Sequence, residues 1–379
     1  MSGMTPIQMV DLQSQHNKIK VELDAAIAEV INSGKYINGP QVSSFSQNLA
    51  KYLDVPFVVP CANGTDALQI AMMALNLQPG DEVIVPAFTY VATAEVIALL
   101  HLTPVLVDVN EDDFLINTTL IEKAITTKTK AIVPVHLFGQ CADMQTIMQI
   151  AIKYNLYVIE DTAQAIGATY TFDNGETQRA GAIGHIGCTS FFPSKNLGCL
   201  GDGGAMFTRD ENLAKRLKMI ANHGQSIQYK HDEIGVNSRL DTIQAAILDI
   251  KLQHLTQYEI KRNEVASKYD QALCNHPNFE IPKRVKNSTH VFHQYTLKCK
   301  NINRDELRKY LAEQQIPTMV YYPIPLHFQA AFKPQVIMPE PLPVTEDLCQ
   351  QVISLPMSPE VTDEQIEYII KHINIFTQK

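Results

Sequence analysis

Basic residues are outnumbered in this chain of 379 residues. Lysine and arginine total 31 against 40 aspartates and glutamates, which gives a formal net charge of −9. Nucleic-acid-binding proteins usually carry a basic patch on a basic domain, so the charge argues against a nucleic-acid partner. An anionic substrate must be held by local cations, because the overall field does not attract it.

Cysteine pairs of the C-x-x-C type are absent. The seven cysteines are scattered and odd in number, at positions Cys61, Cys141, Cys188, Cys199, Cys274, Cys299 and Cys349. Such a set fits a reducing compartment and provides no zinc motif. We therefore expect a cytoplasmic protein without a metal site.

No stretch has the length of a membrane span. The most apolar long window, residues 91–109, is interrupted by Glu95, His101, Pro104 and Asp108, and a buried helix followed by a strand explains it better. The first residues lack a basic region followed by an apolar run, so we expect no signal peptide. With 45% hydrophobic and 19% charged residues, the composition is that of a soluble globular protein.

Short apolar strands alternate with helices through the first half of the chain. The pattern predicts helices at 14–33, 41–52, 66–75, 93–100, 120–125 and 144–154, and strands at 57–60, 82–86, 104–109, 131–138 and 156–161. Near-continuous apolar strands separated by helices predict an α/β fold with a mainly parallel sheet covered by helices on both faces. Ligands of such sheets bind beyond the carboxyl ends of the strands.

After residue 207 the pattern changes. It predicts helices at 214–222, 240–272, 304–314 and 363–375, the last capped by Thr362, one isolated strand at 293–299, and proline-rich extended loops over 315–359. We therefore predict a large domain over residues 1–250 and a smaller C-terminal α/β domain over 251–379. The first helix has the apolar stripe to pack on either domain.

Lys195 lies in an unusual setting. It follows a strand end at 188–192, behind Phe191, Phe192 and Pro193, in a glycine-rich loop. Partial desolvation there favours the neutral amine, which can form a Schiff base with an aldehyde. A surface lysine in a turn is the more common arrangement, so the assignment depends on the rest of the chain.

If the aldehyde belongs to a phosphorylated pyridine cofactor, two further segments could supply an anion site and an acid for it. Gly64 and Thr65 lie between a strand and a helix, where backbone N–H groups bind anions, although a plain helix cap explains them equally well. Glu160 and Asp161 end a strand, and an acid there could hold a pyridinium N–H. Asp161 is the better candidate because the following residues leave the sheet, and Gln164 could reach the same ligand.

Other candidates have strong structural alternatives. Tyr90 or Phe88 could stack on a flat ring, but core packing is more common. Arg239 could clamp a carboxylate or phosphate, or simply cap a helix. Tyr321 and Tyr322, in the segment MVYYPIPLH, could contact substrate or pack between domains.

The motifs in combination resemble one enzyme family. ANGTDALQIA, PAFTYVATAE, VIEDTAQAIGA, TSFFPSKNLGCLGDGGA and GVNSRLDTIQAAIL are similar to those of the DegT/DnrJ/EryC1/StrS family of sugar-nucleotide aminotransferases, which depend on pyridoxal phosphate. The resemblance implies the aspartate-aminotransferase-like fold, known as fold type I. It is strongest for a subgroup that aminates C3 of a 3-keto sugar uronate.

The resemblance also implies roles for individual residues. Lys195 matches the lysine that forms the Schiff base with the cofactor and then moves a proton, and Asp161 matches the partner of the pyridine nitrogen. The other positions that match cofactor-binding residues are Gly64, Thr65, Tyr90, Gln164, Ser190 and Asn237. Asn237 matches a residue that reaches the phosphate of a neighbouring subunit, which implies an obligatory homodimer.

Substrate contacts are implied for Arg239, Tyr321 and Tyr322. Relatives carry HYP where this chain has Tyr321-Tyr322-Pro323, so the chain departs from the family at Tyr321. The implied reaction is a ping-pong transamination from glutamate to a keto sugar nucleotide, for surface polysaccharide such as lipopolysaccharide O-antigen.

Three alternatives remain open. The substrate could be another keto sugar nucleotide, aminated at C4 or carrying a 6-deoxy sugar on dTDP or GDP. Relatives that are dehydratases replace the lysine with histidine, which Lys195 argues against. A non-catalytic regulatory protein of the same fold is the third reading, and it would not need an amine beside an acid.

Overall fold

A computed structural model describes residues 5–378 of the chain. Its α-helices are α1 (Leu12–Lys18), α2 (Lys20–Ser33), α3 (Pro40–Leu53), α4 (Gly64–Ala74), α5 (Val91–Leu99), α6 (Thr118–Ala124), α7 (Met144–Tyr154), α8 (Glu211–Ala221), α9 (Thr242–Leu273), α10 (Arg304–Glu313), α11 (Pro343–Gln351) and α12 (Asp363–Thr377). The predicted first helix is thus two helices that meet at Ile19, whose buried side chain packs with Leu23 and Ile247.

The strands form two main sheets and two short hairpins. They are β1 (Phe57–Cys61), β2 (Glu82–Pro86), β3 (Thr103–Val107), β4 (Thr129–Ile132), β5 (Tyr157–Asp161), β6 (Thr169–Thr171), β7 (Thr177–Arg179), β8 (Ile186–Ser190), β9 (Gly204–Thr208), β10 (Gln225–Ile227), β11 (Lys230–His231), β12 (Phe279–Glu280), β13 (Tyr295–Cys299) and β14 (Val352–Leu355).

The large sheet has seven strands in the order β1-β9-β8-β5-β4-β2-β3. Strands β8, β5, β4, β2 and β3 pair in parallel, while β9 is antiparallel to both β8 and β1. Strand β1 therefore runs in the same direction as the parallel strands. The predicted mainly parallel sheet is confirmed.

Both faces of this sheet are buried. Along β2, Val83 and Val85 join a cluster with residues of α4 and α5, whereas Ile84 joins a cluster with residues of α6 and α7. Alternate side chains of a strand point to opposite faces, so helices cover both sides. Burial of these aliphatic side chains, about 1.5–3 kcal/mol each, holds the layers together.

A second, three-stranded antiparallel sheet has the order β12-β13-β14. The sequence pattern predicts an isolated strand at 293–299, and this prediction is wrong. Strand β13 is paired on both edges. The prediction of extended loops over 315–359 is also wrong in part, because α11 and β14 lie within that range. The segment Val352–Leu355 is too short to be distinguished from a loop until β13 provides its partner.

Helix α9 connects the two sheets. Ala245 and Leu248, near its start, belong to the cluster under the large sheet, while Val265 and Tyr269, near its end, belong to the cluster of the small sheet. Helix α2 packs along the first part of α9. The division near residue 250 stays a prediction, and the helix that contains this position runs without a break.

Candidate active site

Three functional segments meet at one edge of the large sheet. Strand β1 ends at Cys61, β5 at Asp161 and β8 at Ser190. The register pairs Asp161 with Cys188 and places both Ser190 and Cys61 opposite Gly204. The turn after β1, the acid at the end of β5 and the loop after β8 therefore lie beside one another.

The loop that carries Lys195 is closed on itself. The N–H of Lys195 donates to the carbonyl of Phe192 at 2.8 Å, and the N–H of Cys199 donates to the carbonyl of Phe191 at 2.8 Å. A Cβ on Gly198 would lie 2.3 Å from the carbonyl oxygen of Pro193, so the backbone packs tightly there. This tight loop presents Lys195 at its tip.

The Lys195 amine is desolvated, as the sequence predicted. Burial lowers its pKa to about 8, against the opposing influence of the Asp161 carboxylate. An ordinary lysine amine titrates near 10.4. About a tenth of the amine is therefore neutral, and nucleophilic, at pH 7, far more than for an ordinary lysine.

Asp161 is buried and held by two donors. The hydroxyl of Thr93 donates to Oδ2 at 2.9 Å and the N–H of Ala163 donates to Oδ1 at 3.1 Å. Burial raises the pKa of Asp161, while these two donors and then the charge of Lys195 oppose the rise. The carboxylate is thus desolvated and fixed in orientation, as a partner of a cationic ring nitrogen should be.

Glu160, the neighbouring acid, has a different task. Its carboxylate is fully buried and accepts from the N–H groups of Gly181, Ile183 and Gly184 and from His136 at 2.8 Å. Because Nδ1 of His136 accepts from the N–H of Ala142, its Nε2 carries the proton given to Glu160. Four protein donors converge on this carboxylate, so it anchors the surrounding backbone.

The turn before α4 forms an anion cradle. Asn63 caps the helix by accepting from the N–H of Asp66 at 2.8 Å, and the N–H groups of a helix's first turn face outward. A Cβ on Gly64 would lie 2.6 Å from Cβ of Ser190, so the glycine allows the turn to approach the end of β8. Thr65, in the first turn of α4, is half-buried beside it.

Gln164 links the sheet edge to the tyrosine segment. Its Oε1 accepts from the N–H of Phe138 at 2.8 Å and its Nε2 donates to the hydroxyl of Tyr322 at 3.0 Å. The ring of Tyr322 lies 6.1 Å from that of Tyr90, centroid to centroid. Tyr90 is 56% exposed, so its ring face is available to a ligand.

The remaining predicted residues lie at the border of this site. Tyr321 is half-buried and hydrogen-bonded to Gln294. Asn237 is exposed, and the guanidinium of Arg239 donates to Oδ1 of Asn222 at 3.0 Å. Ser238, between them, accepts from the N–H of Ala62 at 3.0 Å, which places this segment next to the anion cradle.

Sequence reasoning missed two residues behind the site. Thr93, which holds Asp161, lies in the motif PAFTYVATAE three positions after Tyr90, in the first turn of a helix that follows a strand. His136 follows β4 at the same sheet edge. Only their positions after strands could have indicated these two residues, because buried threonine and histidine are common in proteins without a functional role.

These groups fit pyridoxal phosphate. The turn at Gly64 packs so closely on Ser190 that a Cβ would clash there, and its free helix N–H groups suit a phosphate, while the Lys195 amine suits an aldehyde. Asp161 suits the ring nitrogen and the exposed face of Tyr90 suits the ring.

Comparison with known proteins identifies the family. Residues 17–374 match the model of the DegT/DnrJ/EryC1/StrS aminotransferase family. The chain belongs to this family. The resemblance, the enzyme class and the cofactor it implied are confirmed.

Three curated relatives align over nearly the whole chain. A UDP-2-acetamido-2-deoxy-3-oxo-D-glucuronate aminotransferase of Pseudomonas aeruginosa is 46% identical, covering 96% of this chain and 98% of the relative. A pleiotropic regulatory protein of Geobacillus stearothermophilus is 43% identical and covers 98% of each. A UDP-N-acetyl-3-dehydro-alpha-D-glucosamine 3-aminotransferase of Acidithiobacillus ferrooxidans is 43% identical and covers 97% of each.

A solved structure confirms the aminotransferase fold. DesV of S. venezuelae, in complex with a ketimine intermediate, superposes with a TM-score of 0.94 at 38% identity, covering 99% of this chain and 100% of that chain.

The described residues form neither a metal site nor a membrane-spanning helix. Within residues 5–378, no group of three or more His, Cys, Asp or Glu side chains is arranged to hold a metal ion. No helix in that range has both the length and the apolar character of a membrane span.

Proposed function

We propose that this chain is a pyridoxal-phosphate-dependent UDP-2-acetamido-2-deoxy-ribo-hexuluronate aminotransferase, which transfers an amino group from glutamate to C3 of a UDP-linked 3-keto sugar uronate. The observation that carries the proposal is the amine of Lys195, with a pKa near 8, interacting with the buried carboxylate of Asp161. The relatives named for 3-oxo and 3-dehydro sugar nucleotides support the position of amination.

Each residue has a defined task in this reaction. Pyridoxal phosphate, when bound, supplies an aldehyde that carries the amino group and a ring that withdraws electrons. Lys195 accepts a proton from the donor's Cα as a base and returns one as an acid. Asp161 would keep the ring nitrogen of the bound cofactor protonated, and Gly64, Thr65 and Ser190 would hold its phosphate.

The proposal also assigns roles in substrate binding and assembly to the border residues. Arg239 binds the uronate carboxylate, and Tyr321 and Tyr322 contact the sugar. Asn237, exposed on the single chain, reaches the phosphate of a second copy, which makes the enzyme a homodimer with shared sites. The enzyme works in the cytoplasm, in the synthesis of surface polysaccharide such as lipopolysaccharide O-antigen.

The direct test is a reaction with a defined substrate. The holoenzyme is incubated with glutamate and the UDP-linked 3-keto uronate of N-acetylglucosamine, and the product is analysed by mass spectrometry and NMR. We expect an amino group at C3 and an equal amount of 2-oxoglutarate. Amination at another carbon, or turnover only with a 6-deoxy sugar on dTDP or GDP, would contradict the assignment.

Lys195→Ala is the inactive variant to compare with the wild type in this test. It shortens one side chain in a loop outside the helices and strands, so we expect an unchanged far-ultraviolet circular dichroism spectrum and no transamination. A relative named as a regulatory protein makes a non-catalytic role the second candidate. Substantial turnover by Lys195→Ala would overturn the role of this lysine, and an inactive wild type that still binds cofactor would favour regulation.

A further inference from the structure

Lys251, in the middle of α9, is buried and lacks an acidic partner. The residue is 1% exposed, and its amine donates to the carbonyl oxygen of Gly198 and lies 3.5 Å from Nε2 of His16. Within residues 5–378, the ion pairs formed by the chain do not include Lys251. Its amine therefore bonds to the backbone of the loop that carries Lys195 and, over a longer distance, to the His16 ring.

Gln244 holds the same loop from the same helix. Its Oε1 accepts from the N–H of Leu200 at 2.8 Å and its Nε2 donates to the carbonyl of Leu200 at 3.2 Å. Gln244 and Lys251 are seven residues apart, which places them on one face of α9 about two turns apart. One face of this helix thus binds the loop backbone at both Gly198 and Leu200.

A buried lysine without an acid is costly. Removing an ammonium group from water costs several kcal/mol unless it is paired, and burial lowers the pKa of Lys251 to about 8. An apolar side chain would fill the same space without this cost. The hydrogen bond to Gly198 is therefore the contribution that distinguishes lysine from an apolar residue here.

The compact loop couples the position of the Gly198 carbonyl to that of Lys195. Gly198 is three residues beyond Lys195, and its backbone packs against the carbonyl of Pro193. The hydrogen bond from Cys199 to Phe191 closes the same loop. A shift of the Gly198 carbonyl therefore moves the backbone from which the Lys195 side chain extends.

We propose that Lys251, assisted by Gln244, is a positioning residue that fixes the loop so that the Lys195 amine stays opposite Asp161. The inference rests on the proposed function, because it gives Lys195 the role of the reacting amine. A displacement of about 1 Å in a reacting group lowers rates by as much as 100-fold. Loss of the hydrogen bonds from Lys251 and Gln244 should therefore lower the reaction rate more than the stability of the fold.

The test compares Lys251→Met with the wild-type holoenzyme. Methionine matches the length of lysine and removes the buried ammonium, and relief of that desolvation offsets the lost hydrogen bond to Gly198, so we expect a melting temperature close to that of wild type. We expect kcat to fall about tenfold with little change in KM for glutamate, and the pH midpoint of the visible absorbance of the Lys195 Schiff base to shift. An unchanged kcat and midpoint would overturn the proposal.

A second variant and a control complete the design. Gln244→Leu removes both hydrogen bonds to Leu200 from a half-buried position, so it serves even if Lys251→Met fails to fold, and we expect a smaller shift in the same direction. Lys261→Met removes an exposed lysine of the same helix, paired with Glu264, and is expected to match wild type. An effect of Lys261→Met equal to that of Gln244→Leu would also count against the proposal. Failure of the wild type to transaminate would instead overturn the proposed function.

Discussion

Lys195 and Asp161 each depart from the protonation behaviour that they would have in water. Burial lowers the pKa of the lysine to about 8 and raises that of the aspartic acid. Both shifts bring the pKa values of these groups closer to neutral pH, where a proton can be exchanged at low cost in free energy. Shifts of this kind, on two groups that interact, are typical of a catalytic site.

The lowered pKa of Lys195 predicts how the apoenzyme takes up its cofactor. The neutral amine is the nucleophile, and it predominates above the pKa, so the rate of Schiff-base formation should rise with pH through a midpoint near 8. The measurement is the initial rate of appearance of visible absorbance after pyridoxal phosphate is added to apoenzyme. A midpoint near that of free lysine would show that the amine is not desolvated.

Thr93 should tune the reaction through Asp161. Thr93→Val removes the hydroxyl that donates to Oδ2 while keeping the shape of the side chain. A hydrogen bond to a charged group contributes about 1.5–3 kcal/mol, so we expect kcat to fall about tenfold or more. Thr93→Ser keeps the hydroxyl and should retain most of the activity; equal rates for the two variants would contradict this role.

At the scale of elements, the anion cradle depends on the missing side chain of Gly64. Gly64→Ala places a Cβ 2.6 Å from that of Ser190, and relief of such a contact costs about 1–3 kcal/mol. We expect the dissociation constant of pyridoxal phosphate, measured by equilibrium dialysis, to rise about tenfold or more.

Gly34→Ala is the control for this variant. Gly34 ends α2 with φ of +65° and has open space around it, so alanine there should cost about 1 kcal/mol of stability. The affinity for the cofactor should stay unchanged. A loss of affinity in both variants would show that the effect at Gly64 is one of general stability.

Strong periodicity made some elements predictable to the residue. Strand β2 (Glu82–Pro86) and helix α7 (Met144–Tyr154) have the predicted bounds, because each combines a clear apolar pattern with local end signals. Helix α12 begins after Thr362, which forms a capping box with Gln365. These features depend on neighbours in sequence and could therefore be read from it.

Features that depend on distant partners could not be predicted. Strand β14 forms through its pairing with β13, more than fifty positions earlier in the chain. The hydrogen bond from Lys251 to Gly198 joins a helix and a loop that no local pattern connects. The segments of the site could be found because chemically distinctive residues follow strands, whereas Thr93 resembles any threonine of a buried helix.

At the scale of the whole molecule, the proposed homodimer predicts complementation. Lys195→Ala and Asn237→Ala should each be inactive alone, since each removes one group from every shared site. In an equal, re-equilibrated mixture about half of the dimers are mixed, and one of their two sites is intact, which gives about one quarter of wild-type activity. Activity that does not rise on mixing would contradict a site shared between subunits.

The whole account depends on which lysine binds the cofactor. Within residues 5–378, burial lowers the pKa of two lysines, Lys195 and Lys251, to about 8, and only the first has the place of a reacting amine in the proposal. The decisive measurement is reduction of the yellow holoenzyme with borohydride, followed by digestion and mass spectrometry of the labelled peptide. We predict a phosphopyridoxyl group on Lys195; a label on Lys251, or a protein that takes up no label, would contradict the account.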